Sequence, residues 1–96
     1  MNKHKARKRF GQHFLQDGNV VTRILSAINP QADDHIIEIG PGLGVLTEAL
    51  LACVSDMDAI ELDRDLIPLL AKRFISDKNT LGRLKIHEAC QYLQNH

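Results

Sequence analysis

A chain of 96 residues holds one small domain, at a size where a single core stabilises only marginally, and leaves no room for a second. With 44% hydrophobic and 25% charged residues it lacks the apolar-poor, highly charged composition of disordered chains, so a folded core is expected. Net charge is zero but unevenly placed: Lys3, Lys5, Arg7, Lys8 and Arg9 fall in the first nine residues with no acid among them, leaving seven basic against twelve acidic side chains elsewhere, a balance of −5.

That basic arm on an acidic body is the charge pattern of phosphate-backbone binding, where each neutralised phosphate releases counterions; a solvated terminus has the same composition. Phe10-Gly11-Gln12-His13-Phe14-Leu15 follows, too short and mixed for a strand or helix, and reads as a structured loop. Asp17 is placed to cap a helix over 18–28, in which Val20, Val21, Ile24, Leu25 and Ile28 recur at helical spacing until Asn29-Pro30 ends it. The apolar face of that helix needs a partner and is expected to lie against the domain that follows.

The β-branched run at 35–39 predicts a first strand, bounded by Gly40. Gly40-Pro41-Gly42-Leu43-Gly44 is a turn, and Val45, Leu46, Ala49, Leu50 and Cys53 mark a helix of two to three turns. A weaker strand candidate spans 56–61. Asp63 or Asp65 can then cap a helix whose Leu66, Leu70 and Phe74 share a face, with Pro68 in its first turn, where a missing N–H costs little. After a turn at 79–82, Leu84-Lys85-Ile86-His87 reads as a third strand. A helix followed by β-α-β-α-β is the front half of an α/β, doubly wound parallel sheet.

Cys53 and Cys90 lie 37 residues apart without a Cys-x-x-Cys spacing, so neither a zinc site nor a disulfide framework is indicated and a cytoplasmic setting is expected. No apolar run nears the ~18–20 residues that span a bilayer, and no signal-peptide hydrophobic region follows the basic start, so no membrane partner is expected. The histidines at 4, 13, 35, 87 and 96 include no pair at one-turn helical spacing, and no metal is expected.

Gly40 and Gly42 let the backbone turn sharply and approach a ligand where a Cβ would intrude, beyond the carboxyl end of a strand, where open α/β sheets bind ligands. Glu61 lies 21 residues after Gly40 at the end of the second strand, where a carboxylate can accept hydrogen bonds from both ribose hydroxyls. Together they imply an adenosine-containing cofactor. A dinucleotide fingerprint would place its third glycine at position 45, which holds Val45, and a phosphate loop would need Gly-Lys-Ser/Thr. S-adenosylmethionine, which carries no phosphate, fits better than either.

Three motifs then carry a close resemblance. Arg7-Lys8-Arg9-Phe10-Gly11-Gln12-His13-Phe14-Leu15, Glu38-Ile39-Gly40-Pro41-Gly42-Leu43-Gly44-x-Leu46-Thr47 and Ile60-Glu61-Leu62-Asp63-Arg64-Asp65-Leu66 resemble, in order and separation, the motifs of the rRNA adenine N6-dimethyltransferases, over about residues 5 to 89. The resemblance implies a Rossmann-like, S-adenosylmethionine-dependent methyltransferase fold and dimethylation of adjacent adenines in 16S rRNA of the small ribosomal subunit. It implies that Gln12, His13 and Leu15 lie at the cofactor's methionine end, that Gly40, Pro41 and Gly42 face it, that Glu61 holds the ribose with Leu62 beside the adenine, and that Lys5, Arg7, Lys8 and Arg9 contact RNA. Residues 1–16 are then a basic arm and cofactor-contacting loop, and 17–96 a partial methyltransferase domain. The family often has Asn where this chain has His13, and Glu38 usually faces the cofactor region. The related 23S rRNA methyltransferases share the cofactor motifs, but the Arg-Lys-Arg-Phe-Gly-Gln start and the Glu-Leu-Asp-Arg-Asp segment favour the small-subunit group.

The resemblance stops at Ala89. The family there places an aspartate that accepts from the cofactor's adenine amino group, where this chain has Cys90, and a thiol is a weak hydrogen-bond partner. No Asn-Leu-Pro-Tyr-like motif, the family's means of placing the target adenine, occurs in the sequence, so no catalytic residue is assigned and a truncated, catalytically deficient form is expected. The abrupt change suggests an altered reading frame. A non-catalytic cofactor- or RNA-binding remnant is the alternative. In a sheet ordered 3-2-1-4-5 the missing fourth strand leaves the 35–39 edge unpaired, which is expected to promote self-association.

Overall fold

A computed structural model of the chain describes residues 17–80 and 82–95. Three parallel strands, β1 (Ile36–Ile39), β2 (Met57–Glu61) and β3 (Leu84–Glu88), form one sheet in the order β1-β2-β3. The register aligns Glu38 with Ala59 and Ile86, and Ile39 with Ile60 and His87. Helices α1 (Gly18–Ile28), α2 (Val45–Leu51), α3 (Leu66–Ile75) and α4 (Ala89–Asn95) complete the described chain.

Helix α1 begins where the Asp17 carboxylate accepts the Asn19 N–H at 2.9 Å. It ends where Asn29, at φ 50°, takes the left-handed conformation and donates its N–H to the Leu25 carbonyl. Its apolar face packs only loosely. Leu25 reaches the core and α1 contacts α2, but no residue of α1 is buried.

Side chains alternate along each strand, so Ile36, Met57, Leu84 and Ile86 point to one face. Against them lie Leu50 and Leu51 of α2, Val54 just beyond it, and Leu70 and Phe74 of α3, which together form the core. Each fully buried Leu or Phe contributes about 1.5–3 kcal/mol, so this face supplies most of the stabilisation. Arg83 ties it together. Its guanidinium donates to the carbonyls of Val54 (2.6 Å), Ser55 (2.9 Å), Asn79 (2.6 Å) and Leu51, satisfying groups at the end of α2 that have no partner within the helix.

The strand expected over 35–39 starts one residue later, at Ile36, where the pairing with Met57 begins. β3 runs one residue past the expected segment, to Glu88. Helix α4 was not expected: β3 passes directly into it, Ala89 is buried, and Tyr92 packs edge-on against His87 with ring centroids 5.2 Å apart. Pro68 sits in the first turn of α3, as expected, but the cap differs. Asp65 holds the cap position without a side-chain bond, and its N–H goes to the Asp63 carboxylate at 2.9 Å.

Candidate functional site

The turn after β1 depends on three glycines in the left-handed region, Gly40 (φ 68°), Gly42 (φ 61°) and Gly44 (φ 89°). Gly40 donates its N–H to the Ile60 carbonyl at 2.8 Å, which fixes the turn to β2, and Gly44 donates to the Pro41 carbonyl at 2.9 Å before α2 begins. The first and third glycines do different work. Among the described residues, a Cβ at Gly40 would meet nothing within 4 Å, so they leave its backbone approachable. A Cβ at Gly44 would stand 2.6 Å from Phe74 Cε2 and 2.9 Å from Leu70 Cδ1, so that glycine lets α2 and α3 pack.

Glu61, at the carboxyl end of β2, is 3% exposed. Its Oε1 accepts the Gly42 N–H at 3.1 Å and its Oε2 accepts the Asp63 N–H at 2.8 Å. One carboxylate therefore joins the glycine turn to the loop that opens α3. Arg73 of α3 braces the same turn by donating to the Leu43 carbonyl at 2.6 Å, and it also pairs with Glu48. On the other side, Arg64 pairs with Glu88 at 2.9 Å and holds the β2–α3 loop to the end of β3.

Glu38 points to the same face of β1 as Gly40, and its Oε1 accepts the fully buried Thr47 hydroxyl at 2.5 Å. Burial pushes the Glu38 carboxyl above its ordinary value; the Thr47 hydrogen bond opposes that shift and the nearby Glu61 charge adds to it. The carboxyl ends of β1 and β2 thus present two acids and an open glycine turn.

Of the residues singled out from sequence, Gly40, Pro41, Gly42, Glu61 and Leu62 come together here. Leu62 is 74% exposed beside Glu61, and Pro41 is buried. Cys90 lies in the first turn of α4, two residues past the Glu88 that pairs with Glu61, as an exposed free thiol. Lys5, Arg7, Lys8, Arg9, Gln12, His13 and Leu15 lie outside the described residues. Sequence reading quoted Thr47 and Arg64 only as motif members and passed over Arg73; their partners are nine, 24 and 30 residues away, so spacing alone assigns them no contact.

The opposite sheet face carries a second cluster. Asp58 accepts from, or pairs with, His35 Nε2 at 3.0 Å and His87 Nε2 at 2.7 Å. Among the described residues no group of three or more His, Cys, Asp or Glu side chains is arranged to hold a metal ion. No described helix is long and apolar enough to cross a membrane.

Residues 3–86 match the sequence model of the ribosomal RNA adenine dimethylases. The chain belongs to that family. Within it, this member is 55% identical over 84 residues to the ribosomal RNA small subunit methyltransferase A of Nitrosococcus oceani, covering 88% of this chain and 30% of the relative. It is 52% identical to the protein of the same name from Marinobacter nauticus, over 90% of this chain and 30% of that one. The chain spans about 30% of the length of these curated relatives. A crystal structure of a dimethyladenosine transferase from Plasmodium falciparum superposes with a TM-score of 0.68 at 26% identity, over 75% of this chain and 26% of that one. The 23S rRNA methyltransferase ErmE superposes with a TM-score of 0.68 at 25% identity, over 79% and 30%. The fold is the Rossmann-like methyltransferase fold, of which the described residues form the β-α-β-α-β part and its flanking helices.

Proposed function

We propose that residues 17–96 form the S-adenosylmethionine-binding front part of a small-subunit rRNA adenine N6-dimethyltransferase, with residues 1–16 as its RNA- and cofactor-contacting arm, working in the cytoplasm on 16S rRNA. The observation that carries this reading is the Glu61 carboxylate bonded to the Gly42 N–H, which puts an acid suited to a ribose beside a glycine turn whose Gly40 faces open space. The higher identity to relatives named for the small subunit than to the 23S enzyme supports that choice of RNA.

In this reading Gly40, Pro41 and Gly42 face the cofactor by their backbone, Glu61 accepts from the ribose and exposed Leu62 covers the adenine. Gln12, His13 and Leu15 lie at the methionine end, and Lys5, Arg7, Lys8 and Arg9 bind phosphates. Bound S-adenosylmethionine supplies an electrophilic methyl group on a sulfonium. The chain's own residues hold and orient that group; no Asn-Leu-Pro-Tyr segment is present to place the target amine in line with it. Because orientation is a large part of the rate enhancement, transfer by these 96 residues is deficient.

Calorimetric titration with S-adenosylmethionine tests the site. Binding that is lost in Glu61→Ala, with circular dichroism unchanged, supports it; absence of heat from the folded chain sinks it. Methylation of unmodified small subunits then separates a deficient enzyme from the second reading, a non-catalytic remnant. What favours that second reading is Cys90, an exposed thiol where the family has an aspartate.

Self-association belongs to the same proposal. Gly40 bonds to β2, and parallel strands use alternate residues for each neighbour, so Ile37 and Ile39 turn their N–H and C=O groups to the edge of β1 that no described strand pairs. Their side chains are 46% and 67% exposed. Sedimentation should show association that rises with concentration and falls on Ile39→Lys; a monomer throughout overturns it.

A further inference from the structure

β3 ends on Glu88 and passes directly into α4 at Ala89, so Glu88 is the last side chain the strand presents at the carboxyl end of the sheet. It pairs in register with Glu61. Neighbouring strands lie about 4.8 Å apart and paired residues turn to the same face, so Glu88 stands one strand over from the acid suited to a ribose.

Arg64 links the Glu88 carboxylate to the loop that leads from β2 into α3. Its Nε donates to Glu88 Oε1 at 3.0 Å and its Nη2 lies 2.9 Å from the same oxygen. The start of that loop is held by the Asp63 N–H, which donates to Glu61 Oε2 at 2.8 Å. Leu62 lies within this frame, 74% exposed. The guanidinium thus ties a loop carrying an exposed apolar side chain to a carboxylate, and it offsets the charge of that carboxylate. Both Arg64 contacts go to Oε1, which leaves Oε2 without a hydrogen-bond donor among the described residues. No buried side-chain oxygen among them lacks a partner, so Oε2 is open to solvent.

An apolar side chain near an unused acceptor suits a purine with an exocyclic amino group, whose ring covers the one while its N–H donates to the other. We propose that Glu88 Oε2 accepts a hydrogen bond from the 6-amino group of the cofactor's adenine and so selects adenine over a base with oxygen at that position. The proposal rests on the cofactor reading above, in which Glu61 holds the ribose and Leu62 covers the base. An ionised carboxylate only accepts, so a 6-oxo purine sets oxygen against oxygen and leaves the acceptor unpaired. A glutamine at 88 reverses that chemistry. Its amide oxygen can keep the Arg64 contact while its NH₂ group takes the place of Oε2 and donates to a 6-oxo group.

Calorimetric titration of the chain with S-adenosylhomocysteine and with S-inosylhomocysteine, its 6-oxo counterpart, tests the assignment. The unmodified chain should bind the adenine ligand about tenfold or more tightly than the inosine ligand, the size expected of a hydrogen bond to a charged acceptor. In Glu88→Gln the adenine ligand should weaken and the inosine ligand strengthen. In Glu88→Ala the adenine ligand should fall to the level of the inosine ligand, which gains nothing. A gain for the inosine ligand confined to Glu88→Gln reports on the donor itself, because a loosened loop weakens both ligands in both variants. Equal affinity of the unmodified chain for the two ligands overturns the proposal, as does a preference that survives both substitutions or an equal fall for both ligands in Glu88→Gln; the cofactor site stands in each case. Failure of both ligands to bind the folded chain removes the cofactor reading and this inference with it.

Discussion

The two faces of the three-stranded sheet are built from the same three strands and end up in different states. Under α2 and α3, Ile36, Met57, Leu84 and Ile86 meet Leu50, Leu51, Leu70 and Phe74, and Met57 and Leu70 are each 1% exposed. On the opposite face α4 covers β3 and part of β2, so Ile60 is buried, whereas Ile37 and Ile39 on β1 are left open. Alternation along a strand decides which face a residue takes, but burial needs a layer on that face. The candidate site residues follow the covered face. Glu38, Glu61 and the glycine turn all emerge where α2 leaves the sheet, and the helices hold them in place.

The largest test of this contrast is Leu70→Ala, which should cost about 3 kcal/mol in urea unfolding because it empties a fully enclosed site in a small core. A loss below about 1 kcal/mol would mean that the covered face is not the stabilising one. Gly44→Ala should cost about 2–3 kcal/mol, from a Cβ driven into Phe74 together with an unfavourable positive φ. Gly40→Ala has the φ penalty without the clash and should cost only about 1 kcal/mol. Equal losses at the two glycines would remove the distinction between a glycine needed for packing and one needed only for its backbone conformation.

Glu38→Gln should act in the opposite direction. The folded-state pKa of Glu38 is raised above its ordinary 4.5, so its contribution is full below that value and is lost as pH rises through the folded value. The variant should therefore unfold with a flatter pH dependence above pH 4.5 and match or exceed the parent at neutral pH. Greater loss of stability in the variant at pH 7 than at pH 4.5 would contradict the assignment. Smallest of all, Ile39→Ser on the open face should change monomer stability by no more than about 0.5 kcal/mol. A cost near that of Leu70→Ala would show that the open face is covered after all.

Much of the site is legible in residue type and spacing alone. Asp17, the apolar spacing through Ile28 and the Asn29 stop define α1 through interactions within a few residues, and it forms over the expected range. Gly40, Gly42 and Glu61 are readable because an unusual backbone and a carboxylate at a strand end have few other uses. Helix α4 is not readable, because seven mixed residues from Ala89 to Asn95 carry no periodic signal and gain their order by packing on β2 and β3. The division of labour between Gly40 and Gly44 is also hidden, since it depends on where Phe74 lies, 30 residues later.

The sequence by itself determined the order of elements, the glycine turn with its acid and the family, because periodicity, capping and turn chemistry act over neighbouring residues and are written in residue type. Only the tertiary structure decided that Glu61 bonds the glycine turn, that Glu38 is buried against the Thr47 hydroxyl, that Arg83 closes the end of α2, and that His35 and His87 share Asp58. Each of these joins residues that meet only when strands pair in register and helices fold back over them, and residue type does not encode that meeting.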